Sequence, residues 1–568
     1  MKHLLICTTA CLLLFGSCAT QTESEFNYED TTSPDAKLYG DYLVGAYADA
    51  IEDMDARAHY YERAFDRAGD DLNLARRAVT SAVAAGDWSK ARSIARDILS
   101  KGDEPMARAV LGAYAFSKGR TSEALDYLED DTADLTVRIL GNLIKGWAEV
   151  DKNTPENAKE IFQNIGGGGY FDLMGQLQIA NLEAAEGNIE EAEIAYALVE
   201  SSNLSPTETT VSRVKALSLA GNDDAALTYL NEFIEEFGPF ETGSGPIPLY
   251  LSKLESGSSL GHALSPQEQA ARALTESAFG FFLRNRAPDA AEIFLRFATL
   301  LDPTHDKATL WLGSLVEEHS QDDALKLFRS IHQSSPYIVT SKLSQANVFF
   351  DRDEDEAALD ILEDANRQHP SFTTRESLGR ARLIRENYKD ALPLYDALVQ
   401  SMSDDELEQN VQPLYFRGIC HEREKQWDLA VKDFQRVLEL DPDNADALNY
   451  LGYTWVDRNE NLTEAFDMIR KAVELEPRSG AIVDSLGWAH YKLGQYPEAK
   501  VQLEKATELA PSSATIIDHL GDVYWKLGRF REAGYQWERA LEFDPTDEER
   551  QNINSKLKGG LEAVSAAP

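Results

Sequence analysis

The sequence has few cysteines, and this shortage excludes a fold held together by disulfides. Four cysteines occur in 568 residues, and Cys7, Cys11 and Cys18 all fall within the first 18 positions. Beyond that segment only Cys420 remains, and a single thiol has no internal partner. We therefore predict that packing alone holds the fold, with Cys420 as a small apolar residue inside a helix.

Positive charge is also scarce. Lysine and arginine number 55 against 97 aspartate and glutamate residues, which gives a formal net charge of −42. Nucleic acids and anionic lipid surfaces attract proteins through basic patches, so this balance argues against both as partners. Such a charge keeps a protein soluble; alternatively, it draws basic partners to an acidic groove over a range of about 8 Å.

Alternating strand patterns and complete catalytic motifs are missing as well. Residues 257–261 spell Gly-Ser-Ser-Leu-Gly, the pattern of a nucleophile elbow around Ser259, but that elbow requires a preceding strand. The ten histidines are scattered without metal-ligand spacing. The sequence therefore predicts no enzyme, no metal and no cofactor. An enzyme alternative would depend on Ser259 or Cys420.

What the sequence does contain is a repeat of about 34 residues in its last third. Glycine and alanine recur at two fixed points of each unit, which lets two antiparallel helices approach closely. Proline ends the second helix because it lacks an amide proton. The three columns are Gly418, Gly452, Gly487 and Gly521; Ala430, Ala465, Ala499 and Ala533; and Pro442, Pro477, Pro511 and Pro545.

This spacing resembles the tetratricopeptide repeat family. The last unit matches the family pattern at Ile517, Leu520, Gly521, Tyr524, Ala533, Trp537, Ala540 and Pro545. The resemblance implies an all-α fold, a right-handed superhelical solenoid of antiparallel helix pairs. Weaker forms of the pattern upstream, such as Gly112 with Leu128 and Gly146 with Phe162, extend the array to about fourteen repeats.

Composition and pattern together divide the chain into segments. The predicted boundaries are 1–17 for a signal peptide, 18–37 for a lipidated cysteine and flexible tether, 38–237 for a divergent repeat array, 238–267 for a turn-rich insertion, 268–410 for a second divergent array, 411–547 for well-defined repeats, and 548–568 for a capping helix with a frayed tail.

The N-terminus is typical of an export signal. Lys2 and His3 precede an apolar stretch, residues 4–15, that is too short to span a bilayer. The segment Phe15 to Cys18 resembles a bacterial lipoprotein signal, which implies a lipid on Cys18; the alternative is an ordinary secretory signal. With Ala19 after the cysteine, the resemblance implies an outer-membrane lipoprotein facing the periplasm, and membrane contact through its acyl chains alone.

In the tetratricopeptide family the first helix of each pair lines a concave face that binds proteins or peptides. Carried onto this sequence, the predicted partner-binding residues are Tyr415, Asn449, Tyr453, Asp457, Asp484, Trp488, Tyr491, Asp518, Asp522 and Trp525. Aromatic rings beside carboxylates suit peptide anchoring. The alternative is that residues such as Tyr453 and Trp488 pack between helices.

The sequence therefore predicts a non-enzymatic, lipid-anchored scaffold with one long concave surface for protein partners and no small-molecule substrate. The resemblance extends to tetratricopeptide lipoproteins that recruit envelope proteases or cell-wall hydrolases. A structural component of an outer-membrane export or assembly machine is the alternative use of the same scaffold.

Overall fold

The computed structural model describes residues 34–51, 53–68, 71–128, 134–166, 168–202, 206–242, 245–283 and 287–565. The predicted signal peptide, Cys18 and most of the predicted tether lie outside these residues. All regular secondary structure in the described ranges is α-helical, and no helix there is both long and apolar enough to cross a membrane. The prediction of an all-α array of helix pairs is confirmed.

The first half of the chain contains helices α1 to α17. Their bounds are α1 Pro34–Ala50, α2 Met54–Ala68, α3 Leu72–Ala84, α4 Trp88–Lys101, α5 Pro105–Ser117, α6 Thr121–Tyr127, α7 Leu135–Asp151, α8 Pro155–Gln163, α9 Tyr170–Glu186, α10 Ile189–Glu200, α11 Pro206–Leu219, α12 Asp223–Thr242, α13 Pro246–Glu255, α14 Pro266–Leu283, α15 Pro288–Leu301, α16 Asp306–Val316 and α17 Gln321–Ser330.

The second half contains helices α18 to α32. Their bounds are α18 Ile338–Asp351, α19 Asp355–Gln368, α20 Phe372–Ile384, α21 Tyr388–Ser401, α22 Asp404–Gln409, α23 Gln412–Arg423, α24 Trp427–Leu440, α25 Ala445–Asp457, α26 Leu462–Leu475, α27 Gly480–Lys492, α28 Tyr496–Leu509, α29 Ala514–Lys526, α30 Phe530–Ala540, α31 Asp547–Gly559 and α32 Glu562–Ser565.

Two predicted segments contain more helix than expected. The last four residues of the tether, 34–37, belong to α1, which begins at Pro34, a residue that suits the first turn of a helix. The predicted insertion contains α13, and α12 bends at Gly238, where φ is 78°. The apolar piece within the insertion is therefore helical.

A similar turn joins the two helices in eleven of the described pairs. One residue of each of these turns is left-handed, with φ between 56° and 84°, and most of them follow one another at steps of 33 to 35 residues. Glycine has no Cβ to oppose this conformation, yet other residues occupy it at several steps. The turn residues are Gly86, Gly119, Asn153, Gly187, Gly221, Asp353, Glu386, Lys425, Asn459, Gly494 and Gly528. The pairwise architecture is thus regular even where the sequence repeat is weak.

The chain forms two compact units. The N-terminal unit comprises the chain up to Leu230 and Lys253–Leu327, and the C-terminal unit comprises Asn231–Ser252 and the chain from Phe328 onward. The division between the two units falls inside the predicted central array, 268–410, whose residues up to Leu327 belong to the N-terminal unit.

Within the N-terminal unit, the hairpin α14–α15 packs across the first helices of the preceding pairs. Helix α14 contacts α7 and α9, and α15 contacts α3 and α5. The Tyr170 hydroxyl donates to the Glu276 carbonyl at 2.7 Å, and the rings of Trp88 and Phe297 meet edge to face at 5.1 Å. The chain's own hairpin thus covers this face.

The hairpin is buried because α15 is apolar around much of its circumference. Ile293, Phe294, Leu295 and Phe297 are all buried, and the consecutive positions 293–295 alone extend over more than half of the helix circumference. The prediction of one long open surface is therefore wrong for the N-terminal unit, because the hairpin α14–α15 of the same chain covers the first helices there.

Within the C-terminal unit, each predicted glycine lies against a large side chain of its partner helix. A Cβ built on Gly487 would lie 2.6 Å from Leu503, and one on Gly521 would lie 2.5 Å from Trp537. The alanine column is completely buried. Small residues therefore set the close approach of the two helices, as the sequence predicted.

Candidate partner-binding face

The first helices α23, α25, α27 and α29 of the C-terminal unit form one side of its helix pairs. We call their exposed side the inner face. Helices α25 and α27 contact each other, as do α27 and α29. Because each first helix lies beside the next, side chains from different repeats meet on this face.

At the start of the face, Tyr415 is a packing residue. Its ring lies 5.8 Å from Phe434 and 6.1 Å from Tyr450, and burial raises the pKa of its hydroxyl. Tyr415 therefore packs between helices, and little of its ring is left for a partner.

Helix α25 contributes two half-buried residues, Asn449 and Tyr453. The side-chain oxygen of Asn449 is buried and accepts no hydrogen bond from the described residues. The side chain of Asp457, the third predicted residue of this helix, lies outside the described part of the structure.

Trp488 lies at the centre of a stack of three rings. Its indole is nearly parallel to Tyr491, with centroids 4.6 Å apart, and to His519 of the next repeat, with centroids 4.0 Å apart. The indole N–H has no hydrogen-bond acceptor among the described residues. Trp488 therefore joins two repeats by packing while keeping one polar group unpaired.

The predicted carboxylates bind groups of the protein itself. Asp484 lies 3.0 Å from Nδ1 of His519, and Asp522 accepts the indole N–H of Trp537 at 2.9 Å. The Lys556 ammonium lies 2.7 Å from Asp518 and 2.8 Å from Asp522. Three of the predicted groove acids are thus parts of a buried ionic network.

The network changes the proton affinities of its members. Burial, and then the neighbouring Asp518, raise the pKa of Asp522 to about 6 against the opposing effect of Lys556. Burial alone would lower the pKa of His519, but the contact with Asp484 raises it above its usual value. Protons in this region are therefore held more tightly than on free side chains.

Lys556 and His519 were not among the predicted site residues. Lys556 follows Ile553 by three positions in α31 and therefore shares its buried side. It also follows Asp522 by 34 residues, one repeat length, so α31 occupies the place of another first helix. A lysine on that buried side requires an acidic partner. The position of Lys556 in the sequence could therefore have predicted an ion pair with the preceding repeat.

Four of the predicted residues line one cavity of about 500 Å³, namely Trp488, Tyr491, Asp518 and Asp522. Trp525, in contrast, lies under the C-terminal segment, because its ring fills the space where a Cβ on Gly560 would project. The structure thus brings part of the predicted site together and covers its last member with α31 and the turn after it.

The two residues of the enzyme alternative belong to different units. Cys420 is buried, and burial raises the pKa of its thiol to about 12, so it is protonated and unreactive at neutral pH. The Ser259 hydroxyl lies in an exposed turn and accepts a hydrogen bond from the Gly261 amide at 3.1 Å. Among the described residues, neither side chain is hydrogen-bonded to a histidine.

Three segments match sequence models of one family. Residues 411–444 and 76–133 match models described as tetratricopeptide repeat, and residues 487–528 match one described as TPR repeat. The matches include both the well-defined and the divergent parts of the array.

Curated relatives share part of the chain. The TPR repeat-containing protein PA4667 of Pseudomonas aeruginosa is 29% identical over 197 residues, which is 34% of this chain and 32% of that protein. A probable UDP-N-acetylglucosamine–peptide N-acetylglucosaminyltransferase SPINDLY of Petunia hybrida is 30% identical over 109 residues, 19% of this chain and 11% of that protein. The chain therefore matches about a third or less of each relative.

Solved structures with long coverage are similar at low identity. The complex of Cut9 and Hcn1 contains a chain that is 16% identical with a TM-score of 0.36, covering 93% of this chain and 97% of that one. A tetratricopeptide repeat protein from Parabacteroides merdae is 16% identical with a TM-score of 0.35, covering 51% of this chain and 98% of that one.

Proposed function

We propose that this chain, which contains tetratricopeptide repeats, is a non-enzymatic scaffold that binds other polypeptides on the inner face of its C-terminal unit. The observation that carries the proposal is the cavity of about 500 Å³ between Trp488, Tyr491 and Asp518. The corresponding face of the N-terminal unit is covered by its own hairpin α14–α15. In this proposal the C-terminal unit binds partners, and the N-terminal unit does not offer the corresponding face.

The lining of the cavity favours a basic segment of a partner. Asp518, Asp522, Glu549 and Glu562 face it together with Lys526, Lys556 and His519, so the acidic side chains outnumber the basic ones. Aromatic rings next to carboxylates bind the stem and the charge of a lysine or arginine side chain. The excess of acidic residues in the whole chain would add attraction at longer range.

We further propose that a lipid on Cys18 anchors the scaffold to the outer membrane and that its repeats face the periplasm. The support is the signal-like sequence of residues 1–18. Anchored in this way, the scaffold would hold an envelope protease or a cell-wall hydrolase near its substrate, raising the effective concentration without new chemistry.

Affinity capture tests the class of partner. The full chain, immobilised through a C-terminal tag, is exposed to detergent-solubilised envelopes of the source cells, and retained proteins are identified by mass spectrometry. We expect a protease or hydrolase. Retention of secretin or exporter components would favour the alternative role in an export machine, and retention of nothing above a tag-only column would contradict the scaffold.

Replacing Tyr491 with alanine should weaken partner affinity about tenfold or more, because truncating an aromatic anchor commonly costs about 1–4 kcal/mol of binding free energy. The matched control is Tyr535→Ala, which removes a ring that is 72% exposed on a second helix. Calorimetry with a captured partner measures both affinities, and circular dichroism verifies that both variants remain helical. Equal affinities for the two variants would contradict partner binding on the inner face.

Replacing Cys18 with alanine should abolish both labelling by a palmitate analogue and recovery of the protein in the membrane fraction. A diacylated cysteine anchors a protein stably, and no helix of the described residues is long and apolar enough to span a bilayer. Cys420→Ala is the matched control and should keep both properties, since this thiol is buried. Label retained on Cys18→Ala would contradict the lipidation of Cys18.

A further inference from the structure

A second cavity, of about 550 Å³, lies in the N-terminal unit. Its walls are the ends of helices α9 and α11, the start of α10, and the segment that leads into α14 together with the first turns of that helix. Residues 263–264 close one side. The cavity is thus built partly from repeats and partly from the chain that returns over them.

Two positively charged side chains, Lys215 and Arg272, project into this cavity. Both are half-buried. Among the residues that the structure describes, neither forms an ion pair with a carboxylate. In a chain with a net charge of −42, two neighbouring cations that form no direct ion pair create a local excess of positive charge.

The nearby acids are bound to other groups. Glu268 accepts hydrogen bonds from the amide and the hydroxyl of Ser265 at 2.6 and 2.7 Å, which fixes it at the start of α14. Glu208 forms an ion pair with Lys307. Glu186 also lines the cavity, but it is exposed at the rim. Glu268 still raises the pKa of Lys215 through its charge, but neither cation forms a direct ion pair within the described residues, and both can contact a bound anion.

The environment opposes the charge of Lys215 in the absence of a ligand. Burial, and then the neighbouring Arg272, lower the pKa of the Lys215 ammonium to about 8. A negative charge placed between the two side chains would reverse both effects, because it offsets desolvation and separates the like charges. The free energy gained in this way would appear as affinity for an anion.

The rest of the lining combines apolar side chains with polar ones. Ala216, Leu219 and Leu264 contribute hydrocarbon surface, and Asn181 and Gln269 contribute hydrogen-bonding groups. An inorganic anion would leave the hydrocarbon surface unused. A ligand with an anionic head and a short apolar body would contact both kinds of surface.

We propose that this cavity binds an oxyanion, a carboxylate or a phosphate ester, carried on a short apolar chain, with Lys215 and Arg272 contacting the oxyanion. This site is separate from the inner face of the C-terminal unit and does not depend on the scaffold function. It gives the N-terminal unit a ligand of its own, although its repeat face is covered by the α14–α15 hairpin.

Isothermal titration calorimetry of the full chain tests the site with four probes: octanoate, octanamide, octyl phosphate and inorganic phosphate. Octanoate should bind with one-to-one stoichiometry. Octanamide has the same chain without the charge and should bind about tenfold more weakly or worse, since charge-assisted hydrogen bonds are lost. The stronger of octanoate and octyl phosphate identifies the headgroup, and either result supports the site.

Lys215→Met should weaken octanoate binding about tenfold or more. Lys152→Met is the matched control, because it removes an exposed lysine of the same unit, and it should leave the affinity unchanged. Arg272→Gln provides a second variant if Lys215→Met unfolds, and the comparison of octanoate with octanamide needs no variant. Equal binding of octanoate and octanamide, no binding of either oxyanion amphiphile at millimolar concentration, or inorganic phosphate binding as tightly as octyl phosphate would overturn the proposal.

Discussion

Replacing Lys556 with methionine is expected to destabilise the C-terminal unit by about 3 kcal/mol. Lys556 is buried and joins α31 to Asp518 and Asp522 through ion pairs of 2.7 and 2.8 Å. Removing one partner of a buried ionic network leaves uncompensated charge, which commonly costs about 3–5 kcal/mol. Methionine keeps most of the side-chain volume, so the change isolates the charge.

Lys558→Met is the matched control. This lysine lies on the same helix and is exposed, so its loss should change the free energy of unfolding by less than about 0.5 kcal/mol. Urea unfolding followed by tryptophan fluorescence measures both variants, since Trp525 contacts the end of α31 at Gly560. If the two variants were equally stable, the network would not hold the capping helix.

The cost of Lys556→Met should also depend on pH. Asp522 has a folded pKa of about 6, above the value of about 3.9 for a free aspartate, so the folded state binds the extra proton more tightly. Stability contributed by that proton is present at low pH and is lost as the pH rises from about 4 to 6. Lys556 lowers the pKa of Asp522, so its removal raises that pKa further.

The variant should therefore approach the parent in stability at pH 5, where Asp522 carries a proton, and fall furthest behind at pH 8. His519 changes in the same direction in both proteins, because its raised pKa adds stability at low pH. Unfolding curves at the two pH values measure the difference between variant and parent. A difference independent of pH would exclude a charged Asp522 as its cause.

Gly521→Ala and Gly534→Ala should have opposite effects on stability, although both put the better helix former into a helix. A Cβ at Gly521 would lie 2.5 Å from the buried ring of Trp537, whereas one at Gly534 meets nothing within 4 Å. Overpacking costs about 1–3 kcal/mol, and alanine gains about 1 kcal/mol over glycine in a helix interior.

We therefore expect Gly521→Ala to lower the free energy of unfolding by about 2 kcal/mol and Gly534→Ala to raise it by about 0.5–1 kcal/mol. The steric cost at Gly521 is high because Trp537 cannot rotate without losing its hydrogen bond to Asp522. Denaturant unfolding of the two variants beside the parent protein is the measurement. Stabilisation by both alanines would show that the helices can separate without loss.

Part of the inner face follows directly from the sequence pattern. Trp488, Tyr491, Asp518 and Asp522 do meet at one cavity, because the family pattern places them on successive first helices. Their side-chain partners could not be read from that pattern. His519 and Lys556 decide which carboxylates are paired, and both reach them from another repeat or from the capping helix.

The sequence by itself determined the helix pairs of this protein, since the glycine, alanine and proline columns act within a single repeat of about 34 residues and need no distant contact. Only the tertiary structure decided which faces stay open. The hairpin α14–α15 covers the N-terminal unit through contacts such as that between Tyr170 and Glu276, 106 residues apart. Apolar side chains indicate that a helix is buried. They do not indicate which surface it packs against, because burial is favourable on any complementary surface.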